Sequence, residues 1–153
     1  MSCGLALALA LVATDAPAAT VPVTLAAAAA PANLVQEPLY AEIVARAKGL
    51  HLRVSTTRAV SPSELQALKA EVDALAALDM QGHYDLKARN VDGDLKCILK
   101  GIAEDLPKRL EDLAKASDPA ARETALKEMG YLLNDNVEVV TAPPGPATPP
   151  PAA

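Results

Sequence analysis

Apolar residues recur every three or four positions through the middle of this chain, which is the pattern of amphipathic helices. The clearest example begins at Ser61, which can cap a helix, with Pro62 at the first helical position and Glu64 completing a capping box. The apolar residues that follow at helical spacing are Leu65, Leu68, Val72, Leu75 and Leu78. The pattern predicts a helix that ends near Met80, before Gly82.

A second helix is predicted from the acidic stretch Asp92 to Asp94, which suits a helix N-terminus, to about Lys115. Its apolar side consists of Leu95, Ile98, Leu99, Ile102, Leu106, Leu110 and Leu113. Pro107 lies within this segment. Because proline lacks an amide and its ring clashes with the preceding turn, we expect a kink or a break there.

A third helix is predicted to begin at Asp118 and Pro119, again a cap followed by proline at the first helical position. Its apolar positions are Ala125, Leu126, Met129, Leu132 and Leu133. The sequence Asn-Asp-Asn at 134–136 is expected to stop this helix. The following residues, 137–140, are then either a frayed last turn or a short extended piece.

The segment from Pro38 to Arg58 has two interpretations. Leu39, Ile43, Ala47, Leu50 and Val54 lie at helical spacing, but Gly49 could end a helix and be followed by a strand at residues 50–57. A helix is favoured because a lone strand would have no partner in the chain. Four helical segments joined by short loops predict an all-α fold, a small antiparallel bundle with one helix kinked or broken at Pro107.

The two ends of the chain are predicted to lie outside this bundle. Residues 4–13 form an apolar run of about ten residues before Ala16-Pro17-Ala18, which has the form of a signal-peptidase site. A second apolar stretch ends in Ala30-Pro31-Ala32, and the sequence does not decide between the two triplets. Residues 1–32 are thus interpreted as a signal peptide and Ala-rich leader, although no basic residue precedes the apolar run. The alternative is an Ala-rich N-terminus on a cytosolic protein.

The run at 4–13 is too short for a membrane span, which needs roughly twenty apolar residues. At the other end, residues 141–153 are uncharged and contain six prolines, which is typical of a disordered polyproline-type tail. The predicted organisation is therefore a leader at 1–32, a helical domain at 33–140 and a tail at 141–153.

Composition and charge narrow the choice of function. The chain has no Phe or Trp and its apolar residues are mostly Ala and Leu, which favour helices over strands. With 19 acidic and 14 basic residues, the net charge of the chain is −5, and the sequence contains no long run of basic residues. Nucleic-acid binding is therefore not expected, because it needs a basic stripe and often stacking aromatic residues.

Cys97 is the cysteine that would remain after removal of the leader. On a helix it would project away from the apolar side, near Lys96, Lys100 and Gly101. A thiol close to a helix N-terminus and two lysines is expected to be reactive, and an oxidising compartment would allow a disulfide-linked homodimer or a mixed disulfide. Cys97, Lys100 and Gly101 therefore form a candidate interaction or redox patch. The alternative is that Cys97 packs against another helix as a small hydrophobic residue.

No residues of this sequence form a recognisable catalytic, cofactor or metal motif. His51 and His83 lie far apart in sequence, and a metal site at His83 would need Asp79 or Asp85 and a further ligand. The acidic pairs at 104–105 and 111–112 alternate with basic residues, which predicts a solvated face with ion pairs. No catalytic residue, metal or cofactor is expected.

Two functions follow from these observations. The first is a small periplasmic, non-enzymatic helical protein that binds and regulates an envelope protein, for example a sensor kinase. The second is a thiol-dependent redox or small-ligand-binding protein centred on Cys97. An enzyme assembled from scattered acidic residues and His83 is a weaker third interpretation.

Overall fold

A computed structural model describes residues 34–57, 60–91 and 94–143 of the chain. These residues form four α-helices: α1 (Pro38–Thr56), α2 (Pro62–Ala88), α3 (Leu95–Lys115) and α4 (Pro119–Thr141), with a short 3-10 turn at Leu34–Gln36 before α1. The described part of the chain contains no strand, so the predicted all-α fold is confirmed and residues 50–56 are helical. The predicted leader and nearly all of the predicted tail lie outside the described residues.

The four helices pack side by side as a bundle. α1 packs against α2 and α4, and α3 packs against the same two helices, so that α2 and α4 stand diagonally opposite each other. The core between them is built from Leu, Ile, Val, Met and one Tyr, which are almost fully buried: Tyr40, Ile43, Leu50, Leu68, Val72, Leu75, Leu86, Leu95, Leu99, Leu106, Met129 and Leu133. No helix among the described residues is both long and apolar enough to cross a membrane.

The starts of two helices follow the predicted caps. Ser61 Oγ accepts a hydrogen bond from the Glu64 amide, and the Glu64 carboxylate accepts one from the Ser61 amide at 2.7 Å, which completes the capping box. Asp118 Oδ1 accepts a hydrogen bond from the Ala121 amide at 2.8 Å at the start of α4. Asp94 holds the corresponding position in α3, but its side chain makes no capping hydrogen bond.

The predicted end of α2 near Met80 is wrong. The helix continues through Gly82 to Ala88, and Asn90, with a φ of 52°, reverses the chain. The Val91 amide donates to the Leu86 carbonyl and the Asn90 amide to the Lys87 carbonyl, which is the Schellman arrangement that closes a helix. Asn90 adopts the left-handed conformation more readily than most residues, and it supplies the stop expected of Gly82.

The predicted stop at residues 134–136 is also wrong, because α4 runs through them to Thr141. Val137 to Val140 are therefore helical, and Val140 is buried. We expected either a kink or a break at Pro107. The break does not occur, because α3 runs without interruption from Leu95 to Lys115. Buried Leu106 and Leu110 on either side of the proline hold this part of α3 against the core.

Candidate functional site

A groove lies between α1 and α4, and we call it the α1–α4 groove. It has a volume of about 760 Å³, and residues 51–57 form one wall and residues 119–134 the other. Thr57 at the end of α1 and Pro119 at the start of α4 line the same end of the groove, as expected for antiparallel neighbours. A volume of this size falls within the range of ligand pockets.

Gly130 keeps the middle of the groove open. A Cβ atom built on Gly130 would lie 3.9 Å from Cδ2 and 4.0 Å from Nε2 of His51, and it would meet nothing else that closely outside its own helix. Any longer side chain at this position of α4 would therefore extend into the space beside His51. The groove thus depends on a residue without a side chain where α4 faces the end of α1.

Tyr131 forms a raised edge of the groove. Its side chain is 60% exposed, and Lys127 Nζ lies 5.7 Å from the centre of its ring, within the range of a cation–π contact. The other side of Tyr131 lines a smaller concavity of about 230 Å³ between α3 and α4, together with Arg109 and Glu128. The two concavities therefore share one exposed aromatic residue.

The charged side chains of the two concavities differ in their partners. Arg109 in the smaller concavity bonds to both Asp112 and Glu128 at 2.9 Å. In the α1–α4 groove, half-buried Arg122 forms no ion pair with any described residue, including its neighbour Glu123. The groove therefore presents an unneutralised guanidinium, whereas the charge of Arg109 is already satisfied within the protein.

The residues of the predicted interaction or redox patch lie on α3, away from the groove. Cys97 is a free, exposed cysteine in the first turns of this helix, so it does not pack as a buried hydrophobic residue. Gly101 lies one turn further on, where an added Cβ would meet no atom within 4 Å. The patch is thus an open surface rather than a cavity.

The two lysines expected beside Cys97 have other partners. Lys96 Nζ donates a hydrogen bond to the Val91 carbonyl at 2.7 Å, and Lys100 pairs with Glu104 at 3.6 Å. The Glu104 pair is one of several along the exposed side of α3, which confirms the predicted solvated face: Lys108 with Asp105, Arg109 with Asp112, and Lys115 with Glu111. Near Cys97, the charge of Lys100 is therefore paired, whereas Lys96 is held by a neutral carbonyl.

The histidines and the acidic residues considered as metal ligands are not brought together. Since a carbonyl can only accept, His83 donates from Nδ1 to the Lys96 carbonyl, at 2.6 Å, while His51 lies in the α1–α4 groove. Asp79 accepts a hydrogen bond from Asn136, and Asp85 accepts hydrogen bonds from Tyr40 and Arg89. No cluster of three or more His, Cys, Asp or Glu side chains suited to a metal occurs in the described ranges.

Asp79 and Asn136 form a polar pair at the centre of the bundle. Both side chains are fully buried, and Asn136 Nδ2 donates to Asp79 Oδ2 at 2.6 Å, from α4 to the diagonally opposite α2. Their remaining oxygens, both Oδ1, have no hydrogen-bond partner among the described residues. Burial raises the pKa of Asp79 to about 7, and the hydrogen bond from Asn136 opposes part of that rise.

A second polar network joins the start of α1 to the end of α2. Tyr40 donates its hydroxyl hydrogen to Asp85 Oδ2 at 2.7 Å, and Arg89 donates to the same oxygen at 2.9 Å. Arg89 also donates to the two carboxylate oxygens of Glu37 through two nitrogens, at 2.7 and 3.0 Å. Burial and the bond to Asp85 raise the pKa of Tyr40. The polar groups of this network are hydrogen-bonded to one another, which fits a structural role.

Sequence reasoning missed the α1–α4 groove as well as both polar networks. The groove requires residues near positions 51 and 130 to face each other, and no local pattern shows that α1 and α4 are neighbours. One signal was present, because Gly130 lies in the interior of α4, where a helix has no conformational need of glycine. Comparisons with known proteins found no matching family model, no similar curated protein and no similar solved structure.

Proposed function

We propose that this chain is a small exported, non-enzymatic helical protein that binds and regulates an envelope protein, for example a sensor kinase, through the α1–α4 groove. The observation that carries the proposal is the groove itself, which combines an exposed Tyr131, an unpaired Arg122 and an open position at Gly130. Tyrosine and arginine are, with tryptophan, the residue types enriched at the energetic centre of protein interfaces.

The shape of the bundle supports binding at this surface. The core is filled mostly by buried aliphatic side chains, and the charged groups of the polar network around Tyr40 already bond to one another, so neither offers a partner an unpaired group. The groove lies on well-formed helices, so its backbone is already in place before a partner arrives. Binding there requires the ordering of side chains but not the folding of a segment.

A pair of glycine substitutions tests the proposal. Gly130→Met would place a side chain in the groove beside His51, and Gly101→Met would place the same side chain on open surface of α3, next to Cys97. Both glycines are half-buried and lie within helices, so both variants are expected to fold at least as stably as the natural chain. Each is used to capture partners from the envelope fraction with a chemical crosslinker.

The proposal predicts that Gly130→Met loses a partner that the natural chain and Gly101→Met both retain. Loss with Gly101→Met alone would place the partner on the α3 surface instead. Capture of the same proteins by all three chains would contradict binding through the groove.

Export is tested separately. The mass of the protein purified from its native cell should correspond to a chain that begins after Ala18 or Ala32, and the protein should be released with the periplasmic fraction. A cytosolic protein of full mass would contradict this part of the proposal.

A second candidate function is favoured by the exposure of Cys97. If the protein acts through this thiol, Cys97→Ser should abolish its effect in the cell, and the native thiol should react with a maleimide below pH 8 or be recovered in a mixed disulfide. A Cys97→Ser variant with full activity would end this alternative and leave the groove as the functional surface.

A further inference from the structure

We propose that the α1–α4 groove binds an acidic, partly apolar peptide segment of the partner protein. This inference rests on the function proposed above and adds the chemistry of the segment that is bound. It follows from three properties of the groove: its unneutralised positive charge, its apolar lining and its volume.

The positive charge comes from Arg122 and Lys127. Neither forms an ion pair with a described residue, and Lys127 instead lies over the ring of Tyr131. Glu123 is the acidic residue that lines the same groove, and it does not pair with Arg122. A guanidinium that is half-buried and unpaired is suited to a carboxylate, which it can hold through two parallel hydrogen bonds.

Arg122 differs in this respect from the other arginines of residues 34–57, 60–91 and 94–143. Arg46, Arg53, Arg89 and Arg109 all form ion pairs with acidic side chains. Arg122 differs from them although the chain as a whole is acidic, with a net charge of −5. The groove therefore keeps a guanidinium charge that no acidic side chain among the described residues neutralises.

The apolar part of the groove comes from Val54, Leu126 and the ring of Tyr131. A simple inorganic anion would use the charges but leave these surfaces and most of the 760 Å³ unfilled. A peptide that alternates acidic and aliphatic side chains would use both, because its carboxylates can meet Arg122 and Lys127 while its aliphatic groups cover Leu126.

Short synthetic peptides test the chemistry directly. A fluorescently labelled peptide of Glu and Leu, its counterpart with Gln in place of Glu, and one with Lys in place of Glu are titrated with the full chain, and binding is followed by anisotropy. We expect the Glu peptide to bind about tenfold or more tightly than the Gln peptide, and the Lys peptide not to bind. Equal binding of the Glu and Gln peptides, or no binding of either, would overturn the inference.

A charge-matched pair of variants tests the site. Arg122→Gln with Lys127→Gln removes two positive charges from the groove, and Lys48→Gln with Lys87→Gln removes two from α1 and α2, where neither lysine lines the groove. The groove variant should bind the Glu peptide about tenfold more weakly, whereas the control should stay within about twofold of the natural chain. Equal losses would show a general charge effect and overturn the inference.

The same charge variants separate this inference from the proposed function. If Gly130→Met abolishes capture of the partner but Arg122→Gln with Lys127→Gln does not, the groove is the binding surface and the acidic segment is wrong. If Gly130→Met still captures the partner, both the proposed function and this inference fail.

Discussion

Asn136 donates a 2.6 Å hydrogen bond to Asp79 across the centre of the bundle, and neither side chain has any exposed surface. Each residue also has one buried oxygen without a partner among the described residues. A protonated Asp79 has an O–H group to donate, and the free oxygen of Asn136 is an acceptor within the same pair. A neutral acid at this position therefore costs less than a carboxylate, for which burial provides no compensating positive charge.

The first prediction concerns pH. The pKa of Asp79 is raised by burial from 3.8 to about 7, so between these values the folded protein holds a proton that the unfolded chain has lost. The contribution of Asp79 to stability is fully present below about pH 4 and decreases as the pH rises to about 7, by about 1.4 kcal/mol for each pH unit. It then stays constant at higher pH.

Asp79→Asn removes this titration while keeping the size of the side chain and a donor toward Asn136. Urea unfolding of both chains at a series of pH values should show the natural chain losing stability relative to the variant between about pH 4 and 7. Other carboxylates titrate in both proteins and cancel in the comparison. Parallel stability curves would show that Asp79 is not buried in its neutral form.

The second prediction contrasts two glycines within helices. A Cβ at Gly82 would lie 3.0 Å from Leu99 Cδ1, 3.3 Å from Tyr40 Cε1 and 3.4 Å from Ile43 Cδ1, whereas one at Gly49 would meet nothing within 4 Å. Gly49→Ala should raise the free energy of unfolding by about 0.5–1 kcal/mol through helix propensity. Gly82→Ala should lower it by about 1 kcal/mol, because the tightly packed side chains of Leu99 and Tyr40 must shift to admit the methyl group.

Thermal and urea unfolding of the two glycine variants provide the check. If Gly82→Ala were as stable as Gly49→Ala, the close approach of α1 and α3 to α2 at Gly82 would be wrong.

The third prediction concerns Tyr40. Tyr40→Phe keeps the ring in the core but removes the hydroxyl group that donates to Asp85 and lies 3.3 Å from the Gly82 carbonyl. Because Asp85 keeps its bond to Arg89, we expect a moderate loss of about 1–2 kcal/mol. Tyr84→Phe, at a side chain that is 58% exposed, is the control and should change stability by less than about 0.5 kcal/mol. Equal effects of the two substitutions would exclude the Tyr40 network as a source of stability.

The fold was predictable where local chemistry decides it. The caps at Ser61 and Asp118 need only nearby atoms, and the spacing of apolar residues marks the buried side of each helix. The helix ends at Gly82 and Asn136 were misjudged because both residues serve the tertiary structure. Gly82 makes room for Tyr40 and Leu99, and Asn136 bonds to Asp79, so residue types that usually stop helices lie within them.

The candidate site was less predictable than the fold. The position of Cys97 away from the apolar side follows from helical periodicity within one element, and the side chain is exposed. The α1–α4 groove depends instead on which helices are neighbours, since His51 and Gly130 are far apart in sequence. The absence of an ion pair at Arg122 likewise depends on the positions of acidic residues in three dimensions.

The central claim is that a partner binds in the α1–α4 groove, and two tyrosines of nearly equal exposure allow it to be measured in living cells. A photocrosslinking amino acid replaces Tyr131, which lines the groove and is 60% exposed, or Tyr84, which lies outside it and is 58% exposed. Our account predicts a discrete protein adduct after irradiation of the chain labelled at position 131 and none from the chain labelled at position 84. Adducts of equal yield from both positions, or an adduct from position 84 alone, would contradict it.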